Sequence, residues 1–142
     1  MNSNAFHSIE YELALLVRLA TSYSPRPGGL DRSEYLLLCE LSERGPIGIN
    51  EVAELLLLNI STASRQVATL EKKNYITRYP DPTNGRISLL QISPEGKSML
   101  DAMRAVRSRA YEEIFKDWSS DEVHDLTSKL GRLNRDLKRW RK

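Results

Sequence analysis

Apolar residues recur along this chain at two different periods, and the places where the period changes mark out its elements. Phe6, Ile9, Leu13, Leu16, Val17 and Ala20 recur at helical spacing, which predicts an amphipathic helix over about residues 5–23. The run SPRPGG ends it. Asp31 is placed to cap a second helix that carries Tyr35, Leu38 and Leu41 and runs to about residue 43, where Arg44-Gly45-Pro46 stops it. Residues 47–49 can add a short strand, and residues 50–56 predict a short helix turning Val52, Ala53, Leu55 and Leu56 inward.

The next helix, over about residues 60–74, has the most informative pattern. At about 100° per residue, Ala63, Val67 and Leu70 stack on one side, and Asn59 is placed to cap the start. The opposite face holds Ser61, Thr62, Arg65, Ala68, Thr69 and Lys72, with Ser64 and Gln66 on its flanks; Glu71 turns away. That face offers hydroxyls, one guanidinium, one ammonium and small side chains, and no acid. Such a set suits a DNA major groove, where arginine forks onto guanine edges and Ser, Thr and Lys hold phosphates. A solvated helix of no special function can carry the same face, so the following segment matters.

There YITRY and ISLLQI alternate as two strands joined by PDPTNGR, whose prolines and Asn-Gly pair are turn residues. This places Arg86 at the tip with Asp81 across the loop. A hairpin tip beside a basic helix is the geometry of a wing, which can send an arginine into a minor groove. Beyond it, Ser93-Pro94-Glu95 starts a long helix to about residue 117, and Ser119-Ser120-Asp121-Glu122 restarts the chain with a capping box. Val123, Leu126, Leu130, Leu133, Leu137 and Trp140 then follow at steps of 3, 4, 3, 4 and 3, a heptad seam that needs another helix to cover it. The cover is either the chain's own first or fifth helix or a second copy; a tolerated or a packing role is open for Gly131 inside that helix.

The run VAELLLLNISTASRQVATLEKKNYITRYPDPTNGRISLLQISPEG resembles the winged helix-turn-helix of the MarR family of bacterial transcriptional regulators. The resemblance implies a mainly α fold with a small β-hairpin wing: one domain over residues 1–142, with residues 31–92 as the DNA-binding region and residues 1–30 and 93–142 as dimerisation helices. It places Ser61, Thr62, Ser64 and Arg65 on the recognition helix, Arg86 as the wing arginine and Asp81 as the acid that holds the loop. Together with the helix-face reading, the expected DNA-binding set is Ser61, Thr62, Ser64, Arg65, Gln66, Thr69, Lys72 and Arg86, with Asp81 orienting the wing. The implied partners are a second copy of the chain, a pseudo-palindromic double-stranded operator and a small aromatic anionic effector, and the implied role is repression. Two positions depart from the family pattern: Leu57 stands where glycine is usual in the inter-helix turn, and Asn84-Gly85 where an acid or arginine is common.

Charge distribution changes the picture more than its total. The net charge of the 142 residues is only +2, yet residues 31–58 hold six acids against two bases, and residues 59–86 five bases against two acids. No run approaches the roughly 20 apolar residues of a membrane span, and no signal-like segment opens the chain, so a cytoplasmic protein is expected. The one cysteine, Cys39, lies among leucines with no cation near it in sequence, which suggests a buried core thiol over a redox sensor. His7 and His124 are isolated, and no nucleophile, base and orienter are assembled, so no metal, cofactor or enzymatic activity is expected. A protein-protein adaptor and a non-specific architectural DNA protein remain the alternatives to a sequence-specific regulator.

Overall fold

The computed structural model describes residues 3–23 and 30–140. In chain order it contains α1 (Ser3–Tyr23), α2 (Arg32–Arg44), β1 (Ile47–Gly48), α3 (Ile49–Leu55), α4 (Ile60–Lys72), β2 (Ile76–Asp81), β3 (Asn84–Ile92), α5 (Pro94–Ile114) and α6 (Ser120–Arg139). The terminating SPRPGG run, residues 24–29, lies outside the described residues.

Helix starts follow the local chemistry. Asp31 and Glu34 form a reciprocal capping box on α2, and Ser119 and Glu122 do the same on α6. Asn59 Oδ1 accepts from the Thr62 N–H at 2.8 Å and from the Ser61 hydroxyl at 2.9 Å. Ser93 accepts from the Gly96 N–H at 2.9 Å while donating to the Asn74 carbonyl, so the start of α5 is bonded to the chain just beyond α4.

Both ends of the α3–α4 pair close with the same device. The Leu58 N–H reaches the Ala53 carbonyl at 2.8 Å with Leu57 between them at φ 54°, and the Tyr75 N–H reaches the Leu70 carbonyl at 2.9 Å with Asn74 at φ 64°. These are Schellman turns, whose central residue must be left-handed. Asparagine tolerates that conformation, whereas leucine suffers a Cβ–carbonyl clash of roughly 1–2 kcal/mol. The helix-turn-helix therefore survives the missing glycine, carrying strain at one residue.

The sheet has the order β1-β3-β2, antiparallel throughout, with Ile47 opposite Leu90 and Ile76 opposite Ile92. Residue 49 begins α3 rather than extending β1. The core gathers Leu37, Leu38 and Leu41 of α2, Val52 of α3, Val67 and Leu70 of α4, Ile76 and Leu90 of the sheet, and Leu100 and Met103 of α5. Each such side chain contributes about 1.5–3 kcal/mol by leaving water. Gly96 sits where α5 meets the base of the wing; a Cβ there would collide with the Tyr75 carbonyl.

The outer helices behave differently. No residue of α6 is buried, and α1 leaves Phe6, Ile9, Leu16 and Val17 exposed. Leu137 faces Leu36, Leu55, Leu56 and Leu57 across a hollow of about 410 Å³. Of the seam, Leu130, Leu137 and Trp140 stay exposed, Trp140 at 69%. Around Gly131 a Cβ would touch only the side chain of Arg135, so within the chain this glycine does not serve close helix packing. Cys39 corrects the expectation of a purely apolar setting: it is half-buried, and Arg104 donates to its sulfur at 3.6 Å.

Candidate nucleic-acid interface

Helix α4 buries Ala63, Val67 and Leu70, as its period requires, and this turns Ser61, Ser64, Arg65, Ala68, Thr69 and Lys72 outward. Thr62 is half-buried and its hydroxyl accepts from Arg65 Nη2 at 3.4 Å, while the Thr69 hydroxyl donates to the Arg65 carbonyl at 3.0 Å. Gln66, on the flank of this face, is half-buried, with Oε1 enclosed and without a hydrogen-bond partner among the described residues. Beside this face lies an open hollow of about 1070 Å³, walled by Thr62, Arg65, Thr69 and Lys72 on one side and by Asp31 and Glu34 on the other.

The acids near this face are already engaged. Glu71 accepts from two guanidinium nitrogens of Arg78 on β2, Nη2 at 2.8 Å and Nε at 3.3 Å. Glu34 bonds the Asp31 N–H at 3.0 Å and lies 3.6 Å from Lys73 Nζ. By contrast, Arg65, Lys72 and Arg86 form no ion pair among the described residues. The exposed positive charge is therefore free to meet an anionic surface.

The wing turns earlier than its Asn-Gly pair suggested. Asp81 pairs with Asn84, so Pro82 and Thr83 form the tip, and Gly85 does not adopt a positive φ. The cause is the Asp81 carboxylate, which accepts from the Thr83 N–H at 2.9 Å and from its hydroxyl at 2.8 Å, beside a proline already fixed for a turn. Those bonds hold the Asp81 carboxyl below the usual carboxylate range, the Thr83 N–H first. Arg86 consequently stands on β3, two residues past the turn, where its N–H donates to Asn84 Oδ1 at 3.2 Å. Asp81 holds the loop through Thr83, without an ion pair to Arg86.

A three-stranded ribbon behind a two-helix unit, flanked by long outer helices, can be compared directly with known proteins. The MarR family model matches residues 30–88. The HTH-type transcriptional regulator YxaD of Bacillus subtilis is 43% identical over 137 residues, covering 94% of this chain and 96% of that one. The chain belongs to the MarR family. It is a DNA-binding transcriptional regulator and not an enzyme. Among solved structures, a probable transcriptional regulator from Pseudomonas aeruginosa aligns at TM-score 0.75 with 27% identity, covering 88% of this chain and 96% of that one. BldR from Sulfolobus solfataricus shares the fold at TM-score 0.80 and 20% identity, covering 96% and 99% of the two chains. Among the described residues no helix is long and apolar enough to cross a membrane.

Within this MarR-family frame the structure brings Ser61, Ser64, Arg65, Thr69 and Lys72 onto one surface, leaves Thr62 and Gln66 at its edge, and carries Arg86 on the wing strand. Arg78 escaped the sequence reading. It joins wing to recognition helix, and one signal pointed to it: Glu71 is the single acid on α4, so a cation from the adjoining strand was its natural partner.

Proposed function

We propose that this regulator acts as a homodimeric repressor. Each subunit lays α4 in a major groove of a pseudo-palindromic operator and sets the wing, through Arg86, against the adjacent minor groove. The observation that carries this reading is the acid-free outer face of α4, whose one acid is neutralised by the wing's own Arg78. The apolar side chains left exposed on α1 and α6 support a second copy as their cover. Two-fold symmetry then sets the half-sites about one helical turn apart, on the order of 10 bp. A protein lying across promoter DNA obstructs transcription, hence repression.

Release by a small aromatic anion belongs to the same reading. Such a ligand must bind one spacing of the two recognition helices more tightly than the other. The test is an operator titration at several salt concentrations, with and without a phenolic acid. Arg65→Ala is expected to cost about 1–3 kcal/mol and relax sequence preference, while Lys72→Ala weakens all duplexes alike and lowers the salt slope by about 1. Equal affinity for operator and random DNA would reject the specific reading in favour of an architectural one; no DNA binding would leave the adaptor. An affinity indifferent to the acid would remove the effector.

A further inference from the structure

Away from α4 and the wing, the charge of α6 is divided along its length. Residues 120–128 carry three acids, Asp121, Glu122 and Asp125, and no Lys or Arg, whereas residues 129–142 carry seven Lys and Arg against the single acid Asp136. The helix macrodipole favours bases in a last turn, which accounts for Lys138 and Arg139. Its influence fades within that turn, so it leaves Arg132 and Arg135 without a reason.

Internal acids supply none either. Lys129 is taken by Asp125 at 2.7 Å, while Arg132 and Arg135 form no ion pair among the described residues. Arg139 lies 3.8 Å from Asp136 with both side chains more than half exposed, a contact that stabilises little. Glu40, the acid in the wall of the nearby hollow, is already bonded by Arg44 at 2.8 Å.

The place of this basic end is the informative fact. Leu137 and Lys138 line the same hollow as Leu55, Leu56 and Leu57, so the last turn of α6 sits beside the turn that leads into α4. Leu57 holds a left-handed φ that glycine would adopt without strain, and its side chain gives the hollow an apolar wall that glycine could not. Ser61, the first of the outward side chains on α4, follows four residues later, within about 14 Å even of a fully extended chain. A major groove is about 12 Å wide, so phosphates flank an inserted α4 on either side.

We propose that the basic end of α6, through Arg135, Lys138 and Arg139, is a second DNA contact that binds backbone phosphates alongside the groove receiving α4. The inference rests on the DNA reading above. Cations held there release counterions from the duplex and reach no base edge, so they add affinity without sequence preference. At about 100° per residue these three lie on a different face from Leu130, Leu133 and Leu137, so covering the seam with a second copy leaves them exposed.

The test is a fluorescence-anisotropy titration from 0.05 to about 0.5 M salt. Its probes are a duplex selected from random sequence by the wild-type protein and a scrambled duplex. One phosphate per subunit, at a slope of about 0.9 each, predicts that the triple variant Arg135→Gln, Lys138→Gln, Arg139→Gln lowers the salt slope by about 2 and affinity by roughly 50-fold at 0.1 M. The gap should narrow as salt rises, and the ratio of selected to scrambled affinity should stay at the wild-type value. The charge-keeping variant Arg135→Lys, Arg139→Lys should retain the wild-type slope. A triple variant with the wild-type slope, or with a loss of affinity equal at every salt concentration as a weakened dimer would give, overturns the contact. So does a loss confined to the selected duplex. Wild type that binds neither duplex sinks the DNA reading itself, a result distinct from wild-type binding with a slope that the triple variant shares.

Discussion

At Asp81 a single carboxylate decides how the wing turns. It accepts both donors of Thr83 and so stabilises the tip only while ionised. Its folded pKa is lowered, so this stabilisation is complete above the unfolded value of about 4 and is lost as pH falls through the folded value. In proton NMR the Thr83 amide is therefore expected to keep its shift down to about pH 4 and to move at lower pH; Asp81→Ala should show the moved shift at neutral pH. A Thr83 amide indifferent to both changes would remove the role given to Asp81. Residue-scale chemistry of this kind was only partly legible in the sequence. Caps at Asp31, Asn59, Ser93 and Ser119 are contacts within three residues, and the sequence reading placed all four. The whole of PDPTNGR reads as the connection, with Arg86 at its tip; the turn is confined to Pro82 and Thr83 by two side-chain bonds to Asp81 that the pattern alone does not rank.

Among the elements, the α3–α4 turn and the wing each yield an expectation. A left-handed φ at Leu57 means that Leu57→Gly relieves strain while Leu57→Ala keeps the Cβ responsible for it. In urea unfolding the glycine variant is expected to be the more stable of the two by about 1 kcal/mol, the reverse of their order in a helix interior. The opposite order would show that no strain resides there. For the wing, Arg78→Met removes the clasp on Glu71 and leaves an acid uncompensated beside the DNA face. Operator affinity should fall about 10-fold by electromobility shift, with Glu71→Gln restoring part of it in the double variant. If Arg78→Met binds as wild type does, the clasp has no positioning role. Element boundaries were largely readable because capping and periodicity are local. The clasp itself, and the contact of Cys39 with Arg104 across 65 residues, depend on which surfaces meet, and no local pattern encodes that.

For the whole molecule, the outer helices raise the question of what covers them. A heptad seam whose Leu130, Leu137 and Trp140 face solvent is expected to find its complement in a second copy. Leu130→Asp adds a charge at an exposed seam position, so the monomer should fold as before while self-association weakens about 100-fold in sedimentation velocity. Operator binding should be lost in parallel, since one half-site alone holds few phosphates. Unchanged association in that variant would place the contact between copies elsewhere. The sequence could pose this question, because the steps of three and four are visible in it, but the choice between partner helices is a matter of three-dimensional supply.

The junction at Gly96 has a mechanical implication. Where α5 touches the Tyr75 carbonyl there is no room even for a methyl group, and the Ser93 hydroxyl ties the same point to Asn74. This joint has no slack, so α5 works as the arm of a crank whose other end is the base of the recognition unit. An arm of 21 residues is about 32 Å long, and tilting it by about 5° displaces its far end by about 3 Å. In the dimer proposed above, motion fed in by the outer helices is expected to pass through this tight joint and change the reach between the two recognition helices.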